Sequence, residues 1–414
     1  MNKTIRIAIV NHSFQKEFFR TRWVKFAKKY PDCEIFLITP SAYIWGRSKA
    51  LTYGSEEKVE AESFNDNNFH LISVRSNDCL TGGWKSKDFK TVLKHINPDF
   101  IYHIGTHTQN PLFQIIDIKR RYHKNAQLLS FSMRGINTNK TSRISLMKYD
   151  KNIFKKILRI PMYILDLIRL KKVNKYVDCI LCHYPDAKRI FEAEGFKRKI
   201  SVQTQVGVNT DIFKPNDTYR QEIRTKYNLG DSFVFGSASR FHYSKGILQI
   251  LDSLTFDGDW KYLLMGSGLP DERKLIEEKI KQNGLENKVI LTGYIDVSEM
   301  PKYWNAIDCA IHFPISTPQW IETFSLALVQ AMATEKAVVG SSSGSVPFQI
   351  GDDGCVVEEG NSRLLSLALK KMMEDDNYRT QNAKKMYERA VSLFSVDSLN
   401  KQFYELIKDL YVEK

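Results

Sequence analysis

Apolar residues along this chain fall in short runs of strand length, separated by stretches with helical spacing. Ile5–Val10 and Cys33–Ile38 open the series, with a helix-like segment at Arg20–Lys29 between them. His70–Val74, Phe100–His103, Leu128–Ser132, Cys179–Cys182 and Ile200–Val206 continue it. Apolar strands alternating with helices indicate parallel sheets covered on both faces. Around Asn209–Asp217, Pro215 and its polar neighbours interrupt the pattern, which then restarts. Phe233–Ala238, Trp260–Met265, Lys288–Leu291, Cys309–Phe313 and Ala337–Gly340 read as strands. Helices are expected from about Gly246, over Leu269–Asn283 and Val297–Asn305, after Asn361, and over Asp397–Tyr411. The expected fold is α/β, with two doubly wound, Rossmann-like halves facing a cleft. Residues 1–212 form the first half, 213–394 the second, and 395–414 a closing helix that packs back on the first. Ligands of such sheets sit at the carboxyl ends of the strands, here facing the cleft.

Composition agrees with this reading. A chain of 414 residues exceeds what one core holds. No run of eighteen apolar residues is present, so no transmembrane helix is expected. The N-terminal MNKTIRIAIVNHSF reads as a first strand, because a signal peptide needs a longer apolar region and a cleavage site. The six cysteines are scattered, except for the Cys179 and Cys182 pair in a strand-like run. Side chains at that spacing in a strand point to opposite faces, so buried free thiols are the better reading than metal or redox chemistry. A reducing, cytoplasmic location follows.

Charge changes the picture more. Residues 1–210 carry 37 Lys and Arg against 18 Asp and Glu; the remainder carries 24 against 29. The excess peaks between Lys140 and Lys175, where eleven cations face only Asp150 and Asp166. They interleave with apolar residues at helical period, broken near Pro161. Such a stretch fits an anionic membrane surface, which would place the protein peripherally at the inner face, or an acidic partner. It equally fits a core helix with a solvated basic face. Nonspecific attraction of nucleic acid is a further reading, but no nucleic-acid module is recognisable, and none is expected as a partner.

The candidate chemistry lies in the second half. In IETFSLALVQAMA, a helix beginning near Thr323 or Phe324 would put Glu322 at its N-terminus and Gln330 on its buried side. That arrangement suits a phosphorylated ligand, and it equally suits a buried helix with an acidic cap. Arg240 and Lys245, in the loop after Phe233–Ala238, are spaced to clamp a diphosphate, or are two ordinary solvated cations. Gly266-Ser267-Gly268 ends the next strand, where backbone could approach a ligand closely. Thr292-Gly293-Tyr294-Ile295 and the loop from Phe313 to Glu322 complete one sheet edge.

These motifs in order, from ASRFHYSKG through LLMGSG and VILTGYIDVSEMPKYWNAIDCAIHFP to ETFSLALVQAMATEKAVVGSSSGSVPFQI and DDGCVVEEGN, resemble the retaining GT-B glycosyltransferases of group 1. The likeness is continuous from Phe233 to about Asn361. In the first half it is carried by PDFIYHIG, VDCILCHYP and VGVNTDIFKP. It implies metal-independent transfer of a sugar from a nucleotide-sugar to a hydroxyl acceptor, with no resident cofactor and no metal ligands. Arg240 and Lys245 would hold the diphosphate and stabilise it as it leaves. Gly266, Tyr294 and Ile295 would line the nucleotide site. Glu322, the first acid of a Glu-x7-Glu motif, would bind hydroxyls of the sugar. Backbone at Thr323, Phe324, Ser325 and Leu326 would reach sugar and phosphate.

Two departures stand out. Gln330 replaces the second acid, which implies altered ribose recognition. The loop after the first strand reads NHSFQ where glycines are usual. No histidine matches securely the one expected near the reacting sugar; His107 is the best candidate, ahead of His103 and His12. The basic first half would bind the acceptor, a lipid-linked or cell-surface glycan or an anionic polymer. A non-catalytic sugar-nucleotide-binding subunit, a phosphorylase and an epimerase remain alternatives on the same motifs.

Overall fold

The computed structural model describes residues 4–45, 57–79, 83–105, 110–132, 153–318 and 320–412. The chain divides into two compact units. The first holds the described residues up to Gln205 together with the chain from Asn400 onward; the second is Val206–Leu399.

In the first unit eight strands form one sheet: β1 (Ile5–Val10), β2 (Cys33–Pro40), β3 (Phe64–Asp66), β4 (Phe69–Val74), β5 (Phe100–Ile104), β6 (Gln127–Phe131), β7 (Cys179–Cys182) and β8 (Lys199–Val202). Their spatial order is β8-β7-β6-β5-β1-β2-β4-β3. All pairings are parallel except β3 with β4. In β1 every residue but Arg6 is buried, which is why the strand reads as a nearly unbroken apolar run. Cys179 and Cys182 are buried in β7, and burial pushes both thiols up to about 12. No disulfide joins the described cysteines.

Helix α1 (Glu17–Lys29) covers the sheet with Trp23 and Phe26, which meet Phe403 of the closing helix at ring distances of 5.1 and 5.6 Å. That closing helix, Val396–Val412, contributes Phe403, Leu406, Ile407 and Leu410 to the same core. Arg22 fastens it. Its Nε donates to Asn400 Oδ1 at 3.1 Å, and Nη1 donates to the carbonyls of Thr204 (3.3 Å) and Gln205 (2.8 Å). Burial lowers this guanidinium to about 10, still charged at neutral pH.

A long helix, α2 (Ile153–Tyr176), precedes β7. The break expected at Pro161 does not occur, for Pro161 lies inside the helix. One missing N–H bond is tolerated when the helix on either side is long enough to continue. Residues 140–152 of the basic stretch lie outside the described residues.

The second unit has six strands, all parallel: β9 (Phe233–Ala238), β10 (Trp260–Met265), β11 (Val289–Gly293), β12 (Cys309–His312), β13 (Ala337–Ser341) and β14 (Cys355–Val357). Their order is β11-β10-β9-β12-β13-β14. Parallel pairing brings every strand's carboxyl end to one edge. The loops after β9, β10, β11 and β12 therefore emerge side by side, as the order of motifs implies.

Replacing Arg22 by Ala leaves the Thr204, Gln205 and Asn400 acceptors buried without their donor. A stability loss of about 3 kcal/mol is expected, read as a lower urea midpoint at unchanged slope.

Candidate functional site

Strand β9 delivers its apolar residues to the core and ends at Ala238. The chain then runs through Ser239 and Arg240 into a single 3-10 turn, Tyr243–Lys245. His242 shapes that turn by accepting from the Ser244 N–H at 3.3 Å. Gly246 follows in the left-handed region, and a helix, Ile247–Ser253, starts there. The turn points Lys245 toward the loop that follows β12. There its Nζ meets Glu322 Oε2 at 2.7 Å and lies 4.4 Å from the centroid of the Trp320 ring.

Both partners are shielded, with side-chain exposures of 15% for Lys245 and 8% for Glu322. The last residue of β12, His312, places Nε2 3.6 Å from the same Glu322 oxygen. That is an electrostatic contact just beyond hydrogen-bond length, and this ring nitrogen has no hydrogen-bond partner. Burial alone would push the Glu322 carboxyl up. His312 and Lys245 together outweigh burial and hold it at about 2. Glu322 is thus a carboxylate at any physiological pH.

The backbone of Glu322 is fixed as tightly as its side chain. Its carbonyl accepts from Ser345 N–H at 2.8 Å. Gly344, at φ 52, lies so close that an added Cβ would stand 2.0 Å from that carbonyl. Gly266 has the same kind of role. A Cβ there would stand 1.9 Å from the Ser239 carbonyl. The Gly266-Ser267-Gly268 turn therefore packs on the β9 loop, and Gly268 bridges to Phe241. Its small residues bring two strand-end loops together rather than merely leaving room for a ligand.

Helix α3 (Leu326–Ala333) begins later than the expected Thr323 or Phe324. Ser325 is its N-cap, in extended conformation, with Oγ accepting from Leu328 N–H. Gln349, fully buried, clamps Ser325 on both sides. It accepts from the Ser325 N–H at 2.8 Å and donates to the Ser325 carbonyl at 2.9 Å. Glu322 consequently stands ahead of the helix instead of at its first turn, and the Ser325 N–H is committed to Gln349. Thr323 and Leu326 are half-buried, and the half-buried Phe324 packs edge-on against Phe394 at 5.7 Å.

Gln330 is buried in α3, as its spacing from Glu322 implies. Its Oε1 accepts from the Trp304 indole N–H at 3.3 Å. This contact orients the amide and leaves its NH2 as the group free to meet a ligand. Arg240 is half-buried in the β9 loop, Ile295 packs on the core below α3, and Tyr294 is 74% exposed at the end of β11.

His107 lies outside the described residues. The other two histidines considered for that role are in the first unit. His103, next to last in β5, is fully buried and lowered to about 3, first by burial and then by His12. Burial lowers His12 to about 4. Both are neutral at pH 7. His312, Trp320, Gly344 and Gln349 were not singled out from sequence. Only His312 carried a signal, as the polar residue closing the apolar run CAIH at the productive edge of the sheet.

The family described as Glycosyl transferases group 1 matches residues 219–390. This segment is a group 1 glycosyltransferase domain. It contains every residue of the Lys245–Glu322–His312 cluster. An uncharacterized glycosyltransferase of Methanocaldococcus jannaschii is 25% identical over 214 residues, 49% of this chain and 52% of that protein. The O-antigen chain mannosyltransferase B of Escherichia coli is 22% identical over 182 residues, 43% of this chain and 46% of that one. The matches thus span about half the length of these curated relatives. Sucrose-phosphate synthase from Thermosynechococcus elongatus superposes with a TM-score of 0.71 at 16% identity, covering 99% of this chain and 100% of that one. Anabaena HepE in complex with UDP superposes at 0.70 and 16% identity, covering 98% and 100%. The fold that the whole chain shares with them is GT-B, two Rossmann-like parallel-sheet units.

The group 1 domain's stability should register the Glu322 carboxylate. A carboxyl held at about 2 when folded, against an ordinary 4.5, contributes about 3 kcal/mol above pH 5. That contribution falls away as pH drops through the folded value, and about 2 kcal/mol of it is gone by pH 3. Urea unfolding of wild type and Glu322→Gln at pH 7 and pH 3 checks this. The wild type should lose about 2 kcal/mol more than the variant over that interval.

Proposed function

We propose that the protein transfers a sugar from a nucleotide-sugar to a hydroxyl acceptor with retention at the anomeric carbon. The observation that carries the reading is the buried Lys245–Glu322 pair on neighbouring strand-end loops of a group 1 domain. Lys245 has three N–H donors and uses one on Glu322, so others remain for diphosphate oxygens. Glu322 has two carboxylate oxygens. Lys245 and His312 both face Oε2, which leaves Oε1 to accept from sugar hydroxyls. HepE, a protein of the same fold, was solved with UDP-glucose, which supports a nucleotide-sugar as donor.

The chemistry follows from charge. The bond between the anomeric carbon and the diphosphate oxygen breaks, and the acceptor oxygen attacks the same face of the sugar. The acceptor's proton passes to the departing diphosphate. Positive charge on the ring develops beside the Glu322 carboxylate. Negative charge on the diphosphate develops beside Lys245, with Arg240 in the same loop as second cation. These cations do the work a metal does elsewhere, so the proposed reaction is metal-independent. The acceptor is a lipid-linked or cell-surface glycan or an anionic polymer, presented to the basic first unit at the inner membrane face. Relatives named for O-antigen and lipopolysaccharide core synthesis support that class.

One observation favours a second reading, a sugar-nucleotide-binding subunit without turnover: Gln330 offers amide donors where the family resemblance implies a carboxylate acceptor. Release of nucleoside diphosphate that requires both donor and acceptor separates the two, and it also separates transfer from epimerisation.

Lys245→Ala is expected to lower kcat by about 100-fold or more, the effect of losing one preorganised charge contact to a leaving group. Unchanged steady-state kinetics would remove the diphosphate role. Gln330→Glu restores a charged acceptor and is expected to tighten nucleoside diphosphate binding about fivefold, measured by titration calorimetry.

A further inference from the structure

The exposed face of α2 is apolar where a soluble helix would be polar. Ile160, Ile164 and Ile168 are 41%, 50% and 51% exposed, and Leu165 and Leu167 stand out beside them. At 100° per residue, Ile160, Ile164, Leu167 and Ile168 share about 100° of arc. Lys171 and Lys175, both exposed, continue the same arc one and two turns further on, with the half-buried Lys172 at its margin. The opposite side is fixed to the first unit. Val173 is fully buried, Arg169 donates to Asn110 Oδ1 at 3.3 Å, and its guanidinium lies 5.3 Å from the Phe113 ring. The helix is therefore held firmly on one side and presents branched apolar side chains followed by cations on the other.

We infer that this face docks on an anionic lipid bilayer. The occupant is chosen by charge. The half of the chain to which α2 belongs carries 37 Lys and Arg against 18 Asp and Glu. A second copy meeting this patch would bring an equally basic half of the chain against this one. A bilayer with acidic headgroups satisfies both parts of the face. Isoleucines enter the boundary of the acyl chains while Lys171 and Lys175, about 10 and 16 Å along the helix axis from Ile164, stay among the headgroups. No helix among the described residues is long and apolar enough to cross a membrane, so the docking is peripheral. The patch would hold the protein at the surface where a lipid-linked acceptor resides, but it stands independently of the transfer reaction.

Vesicle flotation of the full chain tests this without any sugar nucleotide. Wild type should float with vesicles of equal parts phosphatidylcholine and phosphatidylglycerol at low salt, and not with phosphatidylcholine alone. The double variant Ile164→Glu/Ile168→Glu should lose at least tenfold in bound fraction, since each isoleucine contributes through its buried apolar area. Lys171→Glu/Lys175→Glu should lose a similar amount, and the remainder should depend less on salt. Circular dichroism and the thermal midpoint confirm that the variants are folded, the substituted residues being exposed. Flotation of the isoleucine variant equal to wild type overturns the inference. So does failure of the wild type to float, or a wild-type dimer in light scattering that the isoleucine variant converts to monomer. Loss of transfer activity in a protein that still floats bears on the proposed reaction and leaves the docking face standing.

Discussion

A carboxylate taken out of water does not stay charged without a cation beside it, and the candidate site depends on how that requirement is met. Glu322 is almost completely shielded, yet Lys245 at 2.7 Å and the His312 ring keep it ionised. The dependence runs both ways. Removing either member leaves its partner as an uncompensated buried charge, which in comparable pairs costs about 3–5 kcal/mol. Lys245 is further held against the Trp320 face, so its ammonium has little freedom to leave the site. The pair is thus a preorganised dipole at the strand ends, with negative charge for hydroxyls and positive charge for phosphate.

Preorganisation of this kind needs support from groups that never touch a ligand. Gln349 clamps both backbone polar atoms of Ser325, and Ser325 in turn caps α3. Gly344 and Ser345 hold the carbonyl of Glu322. The glycines after β10 lock against the β9 loop that carries Arg240 and Lys245. These contacts join loops from four strands into one rigid rim. They also explain why a serine- and glycine-rich stretch, SSSGSVPFQI, belongs with the site although none of its residues is charged.

Much of this is legible in the sequence alone. Apolar runs of strand length identified nearly all the sheet strands, because strands buried on both faces carry little else. The order of motifs placed Arg240, Lys245 and Glu322 on loops of one sheet edge, since parallel strands leave no other arrangement. Gln330 was correctly expected to be buried from its spacing within the helix. The helix start was misplaced because propensity cannot see Gln349, distant in sequence, pinning Ser325 in an extended conformation. The sequence pattern implies a break near Pro161, yet the helix runs through it without interruption.

What the sequence determined by itself was therefore periodic and local: two parallel α/β units, the loops that carry the cations, and the basic character of the first half. Pairing was beyond it. That Lys245 reaches Glu322, that His312 supports it, that Trp304 turns the Gln330 amide, and that five branched residues of α2 face outward are relations between segments far apart in the chain. Such relations depend on which side chains packing brings within a few ångströms, and on which face of a helix the core leaves uncovered. Local patterning fixes how each element forms; only the assembled core decides which charges meet and which apolar surface stays exposed.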